Sequence, residues 1–250
     1  MAALKQWKTK LTSLMGRTLV KRPMRLAGHQ PVASITFDDF PKNAWTQGGA
    51  VLARRGIRAT YYTAGGFCGR TVKDTVFYDA EDLKAVAAAG HEIGCHGFGH
   101  QPAPALSNVE LAADARRNAE FLKPFLKGEA PVSYAYPYGR VSVRSKRLYA
   151  SRFASLRGTH GGINIGRVDL AQLSVISLEM WQWDQDGIEA AVAQVLRSNG
   201  WLILATHDVS ERPSRFGSTP GMLDWALDRV AAAGIRVLPV REALPVALGL

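Results

Sequence analysis

The sequence predicts an α/β protein in which parallel β-strands close into a barrel covered by helices. Short apolar runs of strand-forming residues alternate with helix-period segments from Pro31 onwards, which is typical of repeated βα units. The runs are apolar almost without interruption, as expected for strands that are buried on both faces. Eight such runs favour a closed barrel over an open sheet.

The predicted strands and helices follow one another in a regular order. The candidate strands are Val32–Phe37, Arg58–Ala64, His91–Cys95, Val132–Tyr136, Phe153–Arg157, Leu173–Leu178, Trp201–Thr206 and Ile235–Pro239. Helical patterns lie near Trp45–Arg55, Ala80–Ala89, Asn108–Leu126, Arg144–Arg152, Ile188–Ser198 and Met222–Ala233. A glycine lies at the end of four of these patterns, where its left-handed conformation would stop a helix.

The composition is that of a folded protein. Apolar residues make up 47% and charged residues 21% of the 250 residues, which excludes a wholly disordered chain. No apolar run reaches the roughly 18 residues of a membrane-spanning helix. Two cysteines, Cys68 and Cys95, are too few for a disulfide framework and agree with a reducing compartment.

The positive charge is concentrated near the N-terminus. The formal net charge is +10, but residues 1–28 hold seven Lys and Arg and no acid, so that removing these seven leaves +3 for the rest. We therefore predict a basic leader over residues 1–28 and a single domain over residues 29–250. The chain contains no nucleic-acid-binding motif, and no nucleic-acid partner is expected.

The leader has the pattern of an amphipathic helix with a basic opposite face. Its apolar stripe recurs at spacings of three and four and comprises Leu4, Trp7, Leu11, Leu14, Met15, Thr18 and Leu19. Two interpretations stay open. The stripe packs against the domain, or residues 1–24 make a peripheral contact with an anionic membrane.

Reactive side chains follow three of the predicted strands. Asp38 and Asp39 follow the first, His96 and His100 follow the third, and His207 follows the seventh. Barrels bind their ligands at the carboxyl ends of strands. Two histidines four residues apart share one face of a helical turn and can reach one ion, and with a carboxylate they make an open zinc-type site.

Each of these residues also has a structural interpretation. The two histidines could be surface residues of a Gly-rich loop, and one aspartate could cap the following helix. Adjacent Asp38 and Asp39 are nevertheless costly at a buried strand end, because like charges raise each other's pKa, and a nearby cation relieves that cost. One carboxylate can then bind a metal while the other faces a water molecule.

The ordered motifs TFDD, HGFGH, AYPYG and LILATH resemble the polysaccharide deacetylase family, the NodB-homology group of carbohydrate esterases. The resemblance extends from about Val32 to Pro239. It implies a distorted (β/α) barrel with about seven parallel strands and a divalent metal, most often zinc, with cobalt or another divalent ion as alternatives. The implied reaction removes N-acetyl groups from amino sugars of a poly- or oligosaccharide and releases acetate.

The resemblance also implies a role for individual residues. Asp39, His96 and His100 would bind the metal, Asp38 would be the catalytic base and His207 the catalytic acid. The remaining substrate contacts would be an oxyanion donor at the backbone N–H of Tyr138 and an acetyl-methyl contact at Leu204. Trp45, Trp181 and Trp183 could stack on sugars or simply be core or rim aromatics.

The motifs depart from the family pattern at several positions. Gly97 replaces a Ser or Thr whose hydroxyl usually fixes the loop, so a looser loop is expected. Ala135 replaces the Arg that usually orients the base, and Arg140 and Arg157 are candidate substitutes.

The fourth motif is unclear, with Glu179 and Asp184 as candidates to orient His207. Cys95 precedes His96 and should point away from it on a strand, as a buried thiol.

No apolar block of a Sec-type signal peptide follows the basic N-terminal residues. We therefore expect a cytoplasmic enzyme, peripheral to the inner face of the membrane if the leader binds lipid, acting on an N-acetylated glycan or a lipid-linked sugar. Two alternatives stay open. One is a same-fold amidase or deformylase that acts on another amide, and the other is a catalytically inactive carbohydrate-binding protein.

Overall fold

The computed structural model describes Gly16 and residues 18–250. The predicted leader helix therefore lies mostly outside the described residues, and of its C-terminal part Gly16 and Thr18 are helical. Within the described ranges, none of the helices has the length and apolar character needed to cross a bilayer.

Twelve strands lie in the described part of the chain. They are β1 (Pro23–Arg25), β2 (Val32–Phe37), β3 (Thr60–Thr63), β4 (Thr71–Val72), β5 (Thr75–Val76), β6 (Glu92–Cys95), β7 (Ser133–Ala135), β8 (Ser155–Gly161), β9 (Arg167–Asp169), β10 (Leu173–Ser177), β11 (Trp201–Thr206) and β12 (Arg236–Val237). All eight predicted strands are among them, and β1, β9 and the β4–β5 hairpin were not predicted.

Seven of the predicted strands form a closed parallel barrel. Their order around the barrel is β2, β3, β6, β7, β8, β10 and β11, and β11 pairs with β2 to close the ring. The closing pair runs in register from Trp201 beside Val32 to Thr206 beside Phe37. β12 pairs with the start of β2, on the edge that β3 occupies further along. The predicted barrel of about seven parallel strands is confirmed.

Seven α-helices lie among the described residues. They are α1 (Ala50–Arg54), α2 (Ala80–Ala88), α3 (Asn108–Leu122), α4 (Val143–Tyr149), α5 (Gln185–Ser198), α6 (Pro220–Ala232) and α7 (Val240–Leu248). A π-helical segment, Ala44–Gly49, leads into α1, and a 3₁₀ turn, Lys123–Leu126, follows α3. The six predicted helical regions are all helical, and α7 was not predicted.

Alternate residues of β11 face opposite sides of the barrel wall, as expected for a strand. Leu202 and Leu204 belong to the core between the strands and the outer helices. Trp201, Ile203 and Ala205 belong to a second core that includes residues of α7. The residue that follows at the same spacing is 207, so this face of β11 leads to the barrel mouth.

The helix α7 closes the barrel at the amino ends of its strands. The backbone N–H of Val240 donates to Thr60 Oγ1 at 2.9 Å, and that of Arg241 donates to Glu92 Oε2 at 2.8 Å. Thr60 and Glu92 are the first residues of β3 and β6. The open mouth therefore lies at the opposite end, where the carboxyl ends of the strands carry the predicted site residues.

The described part of the N-terminal segment is attached to the barrel domain. β1 pairs antiparallel with β9, with Pro23 beside Asp169, and Leu26 is buried in the core that includes α7. Asp169 also accepts hydrogen bonds from the backbone N–H groups of Lys21 and Arg22, at 3.1 and 2.8 Å. Residues 21–26 are thus part of the domain, although the sequence pattern assigned them to the leader.

A buried ion pair holds this attachment. Lys146 Nζ lies 2.9 Å from Asp169 Oδ2, with side chains only 1% and 9% exposed. We expect Lys146→Ala to lower the free energy of unfolding by about 3–5 kcal/mol, because the Asp169 carboxylate would stay buried without its cation. Urea unfolding measures the change.

The matched control for this variant is an exposed ion pair. Lys84 and Glu81 are 62% and 80% exposed and lie 2.8 Å apart. Lys84→Ala should change the free energy of unfolding by less than about 1 kcal/mol. Equal losses in the two variants would contradict the anchoring role of Lys146.

Candidate active site

Three predicted ligands converge at the barrel mouth. Asp39 follows β2, His96 follows β6, and His100 lies in the loop after it. One candidate ligand atom from each lies within 4.8 Å of the other two. Asp39 Oδ1 is 3.1 Å from His96 Nε2 and 2.9 Å from His100 Nε2. The structure therefore brings together the three residues that the resemblance implies for metal binding.

Left-handed backbone conformations produce this convergence. Asp39, Phe40, Gly97 and His100 have φ values of 62°, 57°, 70° and 49°. His96 and His100 therefore meet through a bent loop, not on one turn of a helix as their spacing suggests. Such conformations are costly outside glycine and tend to occur at functional sites. Packing offsets the cost at Phe40, whose ring stacks on Tyr78 with centroids 4.8 Å apart.

An aspartate from α3 holds the histidine loop. Asp114 Oδ2 accepts a hydrogen bond from the Phe98 N–H at 3.0 Å, and Oδ1 accepts one from the Gly99 N–H at 2.8 Å. A Cβ at Gly97 would lie 2.5 Å from Asp114 Oδ2. The loop is therefore fixed without the usual hydroxyl, contrary to the looser loop expected from Gly97.

The donor atoms of this cluster fit a divalent cation. His96 Nδ1 is 2.8 Å from the carbonyl oxygen of Ala135. A carbonyl can only accept, so Nδ1 carries the proton and Nε2 keeps its lone pair. Asp39 Oδ1 is buried and has no hydrogen-bond partner among the described residues, since its contacts with the two Nε2 atoms lack hydrogen-bond geometry.

The protonation states of the cluster agree with metal binding. Burial lowers the pKa of His100 and outweighs the opposing effect of Asp39, so the neutral ring is favoured. Burial alone would raise the pKa of Asp39, but hydrogen bonding to and positive charge on His100 and His96, in their protonated forms without a metal, hold that pKa well below its ordinary value. Neutral imidazoles and an ionised carboxylate are the forms that bind Zn²⁺.

Removing one ligand should weaken metal binding directly. We expect His96→Ala and His100→Ala each to lower the affinity for zinc by at least ~10-fold. Isothermal titration calorimetry of the metal-free variants with Zn²⁺ measures the affinity. His91→Ala is a suitable control, because His91 accepts from the Ala59 N–H at 2.9 Å outside this cluster. Zinc affinity equal to that of the unsubstituted protein in both ligand variants would exclude the site.

Arg157 supplies the guanidinium that is missing at position 135. Its Nη2 donates to Asp38 Oδ1, and both side chains are almost fully buried. Arg157 lies on β8 directly beside Ala135 on β7, so the two residues face the same side of the barrel wall. Arg140 is exposed and makes no contact with Asp38, so the structure resolves the choice between the two candidates.

The ring of Tyr62 packs against the guanidinium of Arg157. The Arg157 guanidinium carbon lies 4.6 Å from the Tyr62 ring centroid, which is a cation–π distance. A Cβ at Gly94 would lie 2.6 Å from the Tyr62 ring, so the absence of a side chain there leaves room for the ring. Burial lowers the pKa of Arg157 to about 9. The contact with the Tyr62 ring and the ion pair with Asp38 together hold the guanidinium in one place inside the barrel.

Glu179 is the acid that orients His207. Glu179 Oε1 lies 3.1 Å from His207 Nδ1, and its Oε2 accepts from the indole N–H of Trp181 at 2.7 Å. The same His207 Nδ1 also lies 3.3 Å from the carbonyl oxygen of Phe216, to which it can donate. Burial alone would lower the pKa of His207, but Glu179 and the charge of Asp39 outweigh it and raise that pKa. Asp184 lines the same cavity and does not contact His207.

A cavity of about 570 Å³ joins these groups. Among the predicted residues it is lined by Asp38, Asp39, His96, His100, Tyr138, Trp181 and His207. Leu204 does not line it, because its side chain points outward into the helix-facing core, and Ala205 lies on the cavity wall instead. Trp45 and Trp183 also pack against that outer core, which is the structural interpretation left open for both.

Tyr138 also lines the cavity. It has a left-handed φ of 58°, its side chain is 60% exposed, and its ring centroid is 4.5 Å from that of His100. The backbone at this position is therefore next to the ligand cluster. Cys95 is fully buried, as the sequence predicted, and burial raises its pKa to about 12.

Comparison with known proteins identifies the family. The family model of polysaccharide deacetylases matches residues 26–153, just over half of the chain. This chain belongs to the polysaccharide deacetylase family. The match includes the TFDD, HGFGH and AYPYG motifs, whereas His207 lies beyond it.

The individual relatives of this chain are distant in sequence. A chitin deacetylase of Arthroderma benhamiae is 22% identical over 215 residues, which is 84% of this chain and 51% of that protein. The chain therefore spans about half the length of this relative.

Two solved structures illustrate the shared fold. The peptidoglycan N-acetylglucosamine deacetylase Bc1960 has a TM-score of 0.61 at 17% identity, over 88% of this chain and 90% of its own. An acetyl xylan esterase of Clostridium thermocellum, solved with a cobalt ion, has a TM-score of 0.57 at 20% identity, over 84% and 89%. At these identities the likeness establishes the fold of this chain and nothing beyond it.

Proposed function

We propose that this polysaccharide deacetylase removes N-acetyl groups from amino sugars of a poly- or oligosaccharide, with zinc as its metal. The reaction releases acetate and leaves a free amine. The proposal depends on one observation. Three groups line the same cavity: the candidate metal ligands, an aspartate that contacts an arginine, and a histidine that contacts a glutamate. These are the parts that amide hydrolysis needs.

The metal cluster and Asp38 activate water in this proposal. A divalent cation held by Asp39, His96 and His100 supplies positive charge that favours ionisation of water and offsets negative charge on the amide oxygen. Arg157 occupies one oxygen of the Asp38 carboxylate, which leaves the other oxygen to accept the proton of the attacking water. Asp38 lines the cavity, where this acceptor would meet the attacking water.

His207 then assists the departure of the amine. Its raised pKa favours the protonated ring near neutral pH, and Glu179 engages Nδ1, so Nε2 is the nitrogen left to donate. An amine leaves poorly without a proton, and transfer from a placed imidazolium lowers that barrier. In the same proposal, the backbone N–H of Tyr138 donates to the amide oxygen as negative charge develops there.

Acetate release from a panel of N-acetylated oligosaccharides tests the proposed reaction. Turnover should require Zn²⁺ or Co²⁺ and stop with a chelator. Formate release from N-formyl analogues, measured in parallel, identifies a deformylase, and O-acetylated xylan identifies an esterase preference. Binding of the oligosaccharides without turnover under every metal condition would favour the inactive carbohydrate-binding protein instead.

We further propose that the substrate is a lipid-linked sugar or a precursor of a surface polysaccharide, met at the cytoplasmic face of the membrane. The basic amphipathic pattern of residues 1–24 supports this setting. Deleting residues 1–18, which leaves the domain-attached residues 21–26 in place, should abolish binding to anionic vesicles at low salt. Added salt should weaken the binding of the full-length protein, because salt screens the attraction between a basic segment and lipid. Co-sedimentation with phosphatidylserine vesicles measures the binding, and neutral vesicles are the control. If the full-length protein does not bind anionic vesicles, the membrane proposal is wrong.

A further inference from the structure

Trp181 lies at the rim of the cavity with 52% of its surface exposed, where a sugar-stacking side chain would be expected. Its indole Nε1–H, however, donates to Glu179 Oε2 at 2.7 Å. The other oxygen of the same carboxylate lies 3.1 Å from His207 Nδ1. Glu179 is therefore held at both oxygens, by Trp181 on one side and by His207 on the other.

The backbone around Trp181 is fixed at two points. The Glu179 N–H donates to Ser177 Oγ at 3.1 Å, and the Met180 N–H donates to the Gly217 carbonyl at 2.9 Å. Ser177 is the last residue of β10, so this short segment starts from the barrel wall. Because the backbone of this segment is fixed, the Trp181 side chain can hold the Glu179 carboxylate in a defined position.

The indole ring already has a partner at its face. The guanidinium carbon of Arg215 lies 5.3 Å from the Trp181 ring centroid and 5.1 Å from that of Phe216, within cation–π range. A ring contacted by a guanidinium and bonded through its N–H is less available for a sugar. Replacement by Phe would keep an aromatic ring beside Arg215 and remove only the N–H donor.

We propose that Trp181 is a positioning residue for the catalytic acid, which fixes the Glu179 carboxylate so that Glu179 holds His207 toward the departing amine. The inference rests on the proposed role of His207. Without the indole N–H, the carboxylate is free to rotate about its last side-chain bond, and His207 Nδ1 keeps only the Phe216 carbonyl, at 3.3 Å, as a fixed acceptor. A partner at one ring nitrogen sets both the tautomer and the orientation of a histidine.

Two substrates that differ in leaving group separate positioning from sugar binding. Trp181→Phe should lower kcat on a sugar acetamide by roughly 10- to 100-fold, the range seen when a residue that orients a functional side chain is removed, with KM little changed. On 4-nitrophenyl acetate, whose leaving group needs no proton, the variant should keep most of its activity. Trp225→Phe, which removes an indole N–H outside the cavity, is the matched control and should keep kcat on both substrates.

A double variant tests whether the two residues act as one unit. Trp181→Phe combined with His207→Ala should be no slower than His207→Ala alone, because a residue that acts through His207 has nothing left to position. A loss confined to KM for the sugar would show a stacking contact instead. An equal loss on both substrates, or a further loss in the double variant, would overturn the proposal.

Nuclear magnetic resonance provides a readout that does not depend on turnover. Glu179→Gln should shift the indole N–H resonance of Trp181, and Trp181→Phe should shift the imidazole resonances of His207. Unchanged His207 resonances in Trp181→Phe would overturn the positioning role. If both shifts occur but the unsubstituted zinc-loaded protein releases no acetate, the proposed function fails while the hydrogen-bond chain stands.

Discussion

Asp38→Asn and His207→Ala should each lower kcat/KM on a sugar acetamide by roughly 10²–10⁴-fold, the contribution attributed to general acid–base catalysis. Both variants should keep their zinc, because neither residue belongs to the cluster of Asp39, His96 and His100. The asparagine amide at position 38 would keep one oxygen for Arg157 but cannot accept a proton from water. Alanine at position 207 removes the donor for the amine.

The two losses should differ with the leaving group. A weakly basic amine needs less protonation as it leaves, so an activated anilide should partly rescue His207→Ala. It should rescue Asp38→Asn far less, because water still has to be activated there. Measuring kcat/KM for both variants on the acetamide and on the anilide, with zinc content checked in each, gives the comparison. Equal rescue, or rescue of Asp38→Asn alone, would reverse the assignment of base and acid.

Metal content gives a separate test of the two neighbouring aspartates. Asp39 Oδ1 lies within 3.1 Å of His96 Nε2, whereas Asp38 is bonded to Arg157. Asp39→Asn should therefore lose zinc affinity and Asp38→Asn should not. Zinc loss from Asp38→Asn would mean that Asp38 is itself a ligand.

The barrel and the strand ends that carry the site could be predicted because both depend on local patterns. Buried parallel strands are continuous apolar runs, and all eight of these runs are strands in the structure. Ligands of such folds lie at the carboxyl ends of strands, so the residues that follow β2, β6 and β11 had to meet at one mouth. Neither step requires knowledge of a long-range contact.

The supports of the site depend on contacts that no local pattern encodes. Asp114 lies 16 residues beyond Phe98 on a helix, and Arg157 lies 119 residues beyond Asp38. The strand β1 exists because it pairs with β9, more than 140 residues later. Helix α7 contains Pro245 in its interior, which argues against a helix when it is read from sequence alone. Packing against the barrel core outweighs that signal.

Leu204 shows a signal that the sequence did contain. Side chains alternate between the two faces of a strand, so residues two apart share a face and residues three apart do not. With His207 directed into the cavity, the same face of β11 carries Ala205, and Leu204 must face the helices, as the structure shows. Strand alternation therefore identifies Ala205 as the cavity residue.

Arg157→Met should have a large effect on both stability and turnover. Methionine fills much of the space, but the buried Asp38 carboxylate would lose its cation, which costs about 3–5 kcal/mol of unfolding free energy when one partner of a buried pair is removed. Turnover should fall by roughly 10- to 100-fold, because Asp38 would no longer be held in one orientation. Urea unfolding and kcat/KM on the acetamide measure the two effects, and unchanged turnover in a folded variant would exclude the positioning role.

Moving the guanidinium to the neighbouring strand tests whether its function depends on the side chain or on the position. Ala135 and Arg157 are direct partners across β7 and β8, so an arginine at 135 would enter the barrel from the adjacent strand, where the family usually carries it. Arg157→Ala frees the space, and adding Ala135→Arg to it should recover at least ~10-fold in kcat/KM. Ala135→Arg alone should instead destabilise the protein by about 1–3 kcal/mol, because it overpacks a full interior.

Recovery in the double variant would show that the barrel needs one guanidinium beside Asp38 and accepts it from either strand. A folded double variant with no recovery would show that the approach from β8, over the ring of Tyr62, is itself required.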